Sequence, residues 1–109
     1  MHTFEILGDP VRRRILELLS DGEAPAGDVV REISTEFGIS QPAISRQLRI
    51  LRETGFTAVR PVGTRRLYSI RADAFDEADA WLDRNRRRWQ HALDALETEV
   101  ARGRRTRNS

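Results

Sequence analysis

The chain has 109 residues, the length of one domain, and it contains no cysteine, which excludes disulfides, thiolate metal sites and cysteine nucleophiles. No apolar run approaches the ~20 residues of a membrane span, and the N-terminus lacks a signal-peptide pattern, so we expect a cytoplasmic protein with no membrane partner. The net charge of +2 hides an uneven distribution, because residues 39–71 carry seven Arg against one acid, whereas residues 1–38 carry four Arg against eight acids.

Two helices are predicted at the start of the chain. Residues 1–7 favour a short first helix, whose apolar residues need a packing partner. A second helix begins after Asp9, because Asp caps helix N-termini well and Pro10 suits the first helical position. Its buried stripe is predicted to be Val11, Ile15, Leu18 and Leu19. Arg12, Arg13 and Arg14 surround this stripe, and we expect a solvated, ion-paired face there rather than contacts to a DNA backbone.

The next two helices are predicted to be joined by a short turn, which is the spacing of a helix-turn-helix. A loop over residues 23–27 leads into a third helix at about residues 28–37. Its buried stripe is predicted to be Val29, Val30, Ile33 and Phe37. Gly38 ends this helix with left-handed backbone freedom. Ser40 caps the fourth helix, and Pro42 lies in its first turn, where a missing N–H does no damage.

The fourth helix is predicted to bury one face and to present a polar face. Its buried residues, at spacings of four and three, are Ile44, Leu48 and Leu51. The exposed side carries an amide, hydroxyls and guanidiniums, with no acid before Glu53. Gln can bond adenine and Arg can bond guanine through two atoms, and either reaches phosphate oxygens, so the helix suits a DNA major groove. The alternative is a solvated amphipathic helix with a few arginines.

Each polar residue of this helix has a predicted role on double-stranded DNA. The residues at the start and centre of the exposed side are predicted to contact base edges, and these are Gln41, Ser45 and Arg46. Ser40 and Arg49 are predicted to hold mainly phosphates. The local excess of positive charge supports this interpretation, since such a field steers a protein to nucleic acid.

Residues 57–62 and 65–70 are predicted to form a β-hairpin, because two alternating apolar runs flank Gly63-Thr64, a pair typical of a type II′ turn. Pro61 cannot donate to a ladder, so its strand is predicted to lie at an edge. Three arginines of the hairpin are predicted to clasp phosphates or enter a minor groove: Arg60, Arg65 and Arg66. The alternative is a solvated turn.

A long last helix is predicted to be capped by Asp73 and to end near residues 100–102, and residues 103–109 are predicted to be a disordered basic tail outside a single domain of residues 1–102. The helix carries more apolar surface than so small a domain can cover, and two tryptophans are costly to leave in water. This predicts a homodimer whose interface includes Trp81, Leu82, Trp89, Leu93 and Leu96. The alternative is packing of both tryptophans within one chain.

Two segments resemble the ArsR family of winged-helix repressors: Phe4–Leu16 is similar to the family's opening, and Ser40–Leu48 is similar to its recognition helix. The resemblance covers about residues 3–100. It implies a mainly α winged helix-turn-helix with about five helices and a small β-hairpin wing, and a sequence-specific DNA-binding repressor. It also implies that the first and last helices pair across a two-fold axis, which adds Phe4 and Leu7 to the interface. Such a dimer reads two half-sites of an inverted repeat, about 34–36 Å apart.

Other functions find little support in the residues. Many members of the family sense metals, but this chain has only His2 and His91 besides its acids, and His91 with Asp94 makes an incomplete ligand set, so no metal or cofactor is expected. No Gly-rich phosphate loop or nucleophile–base pair is recognisable, so we expect no enzyme. The alternative function is a winged-helix protein-interaction module that does not bind DNA, which would need an apolar or acidic face on residues 41–49. The residues do not identify the effector ligand or the signal that releases DNA.

Overall fold

The computed structural model describes residues 3–108, and it describes side chains up to residue 103, so His2 lies outside the described residues. The chain divides into two compact units, residues 1–76 and 77–109. The helices are α1 (Thr3–Leu7), α2 (Pro10–Leu19), α3 (Ala26–Phe37), α4 (Gln41–Glu53) and α5 (Asp76–Asn108). The strands are β1 (Ala24–Pro25), β2 (Thr57–Val62) and β3 (Arg65–Ile70). The first unit is a winged helix-turn-helix, as predicted.

Capping residues set the starts of α2 and α4 and the end of α3 at the positions that the sequence predicts. The Asp9 carboxylate accepts from the backbone N–H of Val11 at 2.8 Å and of Arg12 at 3.1 Å. At the start of α4, the Ser40 hydroxyl oxygen accepts from the N–H of Ala43 at 3.3 Å. Gly38 ends α3 in the left-handed conformation, with φ 64°. The short turn between α3 and α4 therefore follows from local capping chemistry.

The predicted loop over residues 23–27 is wrong in part. Ala24 and Pro25 form β1, which pairs with Tyr68 and Leu67 of β3 in an antiparallel ladder, and α3 begins at Ala26 rather than near residue 28. The sheet therefore has three strands in the order β1-β3-β2. A two-residue strand has no detectable period, and its pairing partner lies far along the chain, so no local pattern could have predicted it.

The predicted β2–β3 hairpin is confirmed, and its residue pairs run from Thr57–Ile70 to Val62–Arg65. Gly63 has φ 61°, and no described non-glycine residue has a positive φ, so only the first central residue of the turn is left-handed, as a type II′ turn requires. Strand β2 lies at the edge of the sheet, as predicted from Pro61. The hairpin extends as a wing beside α4.

One core joins the first four helices and the sheet. Its buried members are Ile6, Ile15, Leu16, Leu19, Val29, Ile33, Ile44, Leu48, Leu51, Phe56 and Tyr68. The predicted buried face of α4 is confirmed. The prediction that Phe37 is buried is wrong, because this residue is 36% exposed. It is the last residue of α3, where the helix leaves the core. Leu16 was missed on α2, whereas Val11 and Leu18 are only half-buried.

The last helix differs from its predicted bounds at both ends. Asp73 is not its cap: its carboxylate pairs with Arg71, Nε to Oδ1 at 3.3 Å, and its carbonyl accepts from the N–H of Asp76, where α5 begins. An ion pair to a neighbour thus replaces the predicted capping bond. The helix also continues to Asn108, beyond the predicted end near residue 102 and into the segment expected to be a disordered tail.

Candidate nucleic-acid interface

The polar face of α4 is exposed because the opposite face is anchored in the core. Ile44, Leu48 and Leu51 are at most 2% exposed. At ~100° per residue, this anchoring turns the remaining side of the helix toward solvent. The exposed residues there are Ser40, Gln41, Ser45, Arg46, Arg49 and Arg52. The face is polar and basic, which is the opposite of what the protein-interaction alternative requires.

A groove between α4 and β3, called the basic groove below, gathers several of the predicted residues. Its polar lining consists of Ser45, Arg49 and Arg52 from α4 and Arg66 from β3. Ala26, Val30, Leu48 and Tyr68 complete its walls. The sequence reasoning missed Arg52, although its spacing of three from Arg49 and seven from Ser45 places it on the same side of the helix. Three guanidiniums in one groove form a surface suited to phosphate groups.

The other predicted residues lie around this groove. Arg65 and Arg66 line a second depression between the hairpin tip and the first residues of α3. Gln41 lines a third, together with Arg31, Ser34 and Thr35 of α3. Arg46 lines none of these grooves and lies on the outer side of α4, as its place in the helical repeat requires. Five of the predicted residues, Gln41, Ser45, Arg49, Arg65 and Arg66, therefore line depressions along α4 and the wing.

Most of the arginines on this surface have no partner within the described part of the chain. The side chains of Arg46, Arg49, Arg52, Arg65 and Arg66 form no hydrogen bond or salt bridge with any described residue. The nearest acid along α4 is Glu53, which is exposed and pairs with none of them. Their charge is therefore available to an external anion.

Arg60 is the exception among the predicted DNA-binding residues. Its guanidinium forms a salt bridge with Glu23, which includes a hydrogen bond from Nε to Oε2 at 3.4 Å. The hydrogen bond from Arg60 lowers the pKa of Glu23, and the same contact raises the pKa of Arg60. A phosphate contact by Arg60 would have to replace this carboxylate.

The three arginines of α2 are all engaged by the protein. Arg14 donates from Nε to Glu36 at 2.8 Å and from Nη1 to Glu17 at 3.2 Å, and its hydrogen bond lowers the pKa of Glu36. The predicted ion-paired face is confirmed here. Arg12 and Arg13 differ from that prediction, because they donate mainly to backbone carbonyls of α1.

The second unit presents an exposed row of large apolar side chains on α5, called the apolar stripe below. Its members are Trp81, Leu82, Trp89, Leu93, Leu96 and Val100. Trp89, Leu93 and Leu96 are each 55–57% exposed. The rings of Trp81 and Trp89 meet edge to face, with centroids 6.2 Å apart, and Trp81 and Leu82 are 38% and 39% exposed. A surface of this kind is typical of a protein–protein interface.

Within the described residues, no group of three or more His, Cys, Asp or Glu side chains could hold a metal ion, and His91 is exposed. None of the described helices combines the length and the apolar character that crossing a membrane requires.

The sequence matches known regulatory proteins. A family model described as bacterial regulatory protein, arsR family, matches residues 9–57, from the cap of α2 to the start of β2. The transcriptional repressor SdpR of Bacillus subtilis is 33% identical over 81 residues, which cover 74% of this chain and 86% of that protein. Residues 9–57, which the family model matches, contain the helix-turn-helix described above.

Solved structures show the same architecture. The crystal structure of the ArsR family transcriptional regulator RHA00566 aligns with a TM-score of 0.67 at 28% identity, over 81% of this chain and 87% of that one. The homodimeric winged helix-turn-helix DNA-binding domain Mb0332 from Mycobacterium bovis aligns with a TM-score of 0.54 at 28% identity, over 74% of this chain and 71% of that one. Both alignments extend over most of each chain.

Proposed function

Because the chain belongs to the ArsR family of bacterial regulatory proteins, we propose that it represses transcription as a homodimer bound to an inverted-repeat operator. It is a winged helix-turn-helix DNA-binding transcriptional regulator rather than an enzyme. The observation that carries the proposal is the set of unpaired arginines on α4 and the wing. A DNA-binding regulator of this kind acts where the bacterial chromosome lies, in the cytoplasm.

The proposed contacts divide α4 between base recognition and backbone binding. Gln41, Ser45 and Arg46 lie toward the start and outer side of the helix, where a recognition helix meets base edges in the major groove. Ser40 and Arg49 hold phosphates, and the geometry of the basic groove adds Arg52 to this group. Arg65 and Arg66 at the hairpin tip bind an adjacent phosphate or minor groove, and Arg60 joins them if it leaves Glu23.

Self-association is proposed from the apolar stripe. Leaving two tryptophans in water is unfavourable even for a chain with 33% charged residues, and a second copy of the chain would cover them. The proposed interface comprises Trp81, Leu82, Trp89, Leu93 and Leu96, with Phe4 and Leu7 of α1. The homodimeric state of Mb0332 supports self-association, and the name of SdpR as a repressor supports repression. The bound dimer would obstruct RNA polymerase.

Selection of duplexes from a random-sequence pool by the purified protein tests the DNA part of the proposal. We expect enriched fragments that share an inverted repeat with half-sites about one helical turn apart. A pool that stays random in sequence would contradict sequence-specific regulation.

Sedimentation of the wild-type protein and of Trp89→Asp tests the dimer. A charge within the stripe would have to be desolvated in the interface, so we expect wild-type dimers and variant monomers that bind the selected duplex weakly. The exposed variant Arg88→Ala is the control and should remain dimeric. A monomeric wild-type protein would contradict the proposed assembly.

A further inference from the structure

Arg12 lies at a junction of three helices. From α2, its guanidinium donates through Nε to the carbonyl oxygen of Ile6 at 2.9 Å and through Nη2 to that of Glu5 at 3.0 Å. Both carbonyls belong to α1, a helix so short that most of its carbonyls lack a partner within the helix, and a cation near a helix C-terminus is favourable. The third contact reaches α4, because Nη1 donates to Oε1 of Gln47 at 2.9 Å.

This contact determines the orientation of the Gln47 amide. A guanidinium donates hydrogen bonds and accepts none, so the amide oxygen must be the atom that faces Arg12. Both N–H donors of the amide are then without a hydrogen-bond partner among the described residues, and the side chain is half-exposed. Gln47 directly follows Arg46 on the helix that carries the DNA-facing residues. An oriented pair of donors is thus present on the flank of α4.

We propose that Arg12 is a positioning residue for DNA binding, which holds the Gln47 amide so that its N–H group donates to a phosphate oxygen of the bound duplex. The inference rests on the proposed function, since it adds one contact to the same interface. A phosphate is favoured over a base edge because Gln47 is the seventh residue of α4, whereas the first residues of a recognition helix read the bases. Side-chain amides are common donors to phosphates.

Arg13 supplies a matched control for the alternative that Arg12 only supports α1. Its Nη1 donates to the carbonyl oxygen of Leu7 at 2.6 Å, at the end of the same helix, and it forms no hydrogen bond or salt bridge with a described residue of α4. Arg13→Ala therefore removes a positive charge and an α1 contact, as Arg12→Ala does, but leaves the Gln47 amide in place.

The test measures the dissociation constants of Arg12→Ala, Gln47→Leu, their double variant and Arg13→Ala by fluorescence anisotropy. The probes are one duplex selected from the random pool and one random-sequence duplex of the same length. We expect Arg12→Ala and Gln47→Leu each to weaken binding to both duplexes about tenfold, for a dimer that loses one hydrogen bond on each half-site. The double variant should bind no more weakly than Gln47→Leu, and Arg13→Ala should bind within about twofold of wild type.

Arg12→Lys keeps the experiment informative if Arg12→Ala fails to fold. Lysine retains a cation for the α1 carbonyls, but its single nitrogen cannot span both helices, so we expect a melting temperature near that of wild type and DNA binding as weak as that of Gln47→Leu.

Three results would overturn the inference. If Gln47→Leu binds DNA with wild-type affinity, Gln47 does not contact a phosphate. Arg12 would only stabilise α1 if Arg12→Ala and Arg13→Ala lost affinity equally. The same conclusion would follow if the fold-loss in the double variant were the product of the two single fold-losses. Failure of the wild-type protein to bind either duplex would instead overturn the proposed function, and the inference with it, so the two failures are distinguishable.

Discussion

The arginines of α2 and those of the surface formed by α4 and the wing are treated in opposite ways by the fold. On α2, Arg14 is paired with Glu17 and Glu36, while Arg12 and Arg13 are bound to the carbonyls of α1. On α4 and β3, five arginines have no partner in the described part of the chain. Arginine side chains therefore hold neighbouring segments together in one region and remain free cations in the other.

The difference follows from where the acids lie. The first 38 residues carry eight acids, and two of them face Arg14, whereas residues 39–71 carry only Glu53. Only Glu23, from the acidic segment, reaches across to pair with Arg60 of the wing. Charge composition alone does not identify a DNA-binding surface, because a guanidinium already bound by the protein releases few counterions from DNA.

The largest effect is expected from removing two free arginines of the basic groove. The variant Arg49→Ala/Arg52→Ala should weaken DNA binding by about 3 kcal/mol or more, because each charged hydrogen bond contributes ~1.5–3 kcal/mol. The steepness of log K against log salt should also fall by ~0.9 for each DNA phosphate that the variant no longer binds. Titrations of a selected duplex at several salt concentrations measure both quantities.

A matched control removes two positive charges from the other region. Arg13→Ala/Arg14→Ala should leave the salt dependence of DNA binding unchanged, since both side chains are engaged by the protein. If the slope of log K against log salt is the same for the two double variants, the distinction between bound and free arginines is wrong.

The next effect concerns base recognition by Arg46 on the outer side of α4. Arg46→Ala should weaken binding to the selected duplex by ~1–3 kcal/mol, as expected for a side chain that reads a base. Binding to random-sequence DNA should change less. Competition between selected and random duplexes measures the ratio of the two affinities. If Arg46→Ala leaves this ratio unchanged, Arg46 contacts a phosphate and not a base.

A smaller effect of opposite sign is expected at the wing. Glu23→Gln removes the carboxylate that holds Arg60, so DNA binding should strengthen a few-fold and its salt dependence should steepen by up to ~0.9 per subunit. Because Arg60 lowers the pKa of Glu23, protonation does not release the pair near neutral pH. The double variant Glu23→Gln/Arg60→Ala is the control. If it binds as tightly as Glu23→Gln, Arg60 does not reach DNA.

The smallest effect concerns the ion pair between Arg14 and Glu36. Because the pKa of Glu36 is lowered from 4.5 by Arg14, the pair stabilises the fold above the ordinary pKa, and this contribution disappears as the pH falls through the lowered pKa. Glu36→Gln should therefore lower the melting temperature slightly at about pH 7, and this difference from wild type should shrink as the pH falls through the lowered pKa of Glu36. Its DNA affinity should match wild type. A clear loss of DNA binding in a folded variant would show that the two regions are not independent.

Several elements were predictable from the sequence because their signals are local. Asp9 with Pro10, Ser40 with Pro42, and Gly63 act on backbone groups within a few residues, and they set the starts of α2 and α4 and the turn of the hairpin. The exposed face of α4 follows from helical spacing alone. The start of α5 was predicted two residues early because Asp73 is held by Arg71 instead of capping the helix.

Only the tertiary structure decided which residues from distant parts of the chain meet. The pairing of β1 with β3, the salt bridge between Glu23 and Arg60, and the contact from Arg12 to Gln47 each join segments with no local pattern in common. Caps, turns and amphipathic spacing are properties of a few consecutive residues, so the sequence by itself determined the helices, the hairpin and the basic block. Whether each arginine is bound or free depends on which acids and carbonyls the packed core brings within hydrogen-bond distance.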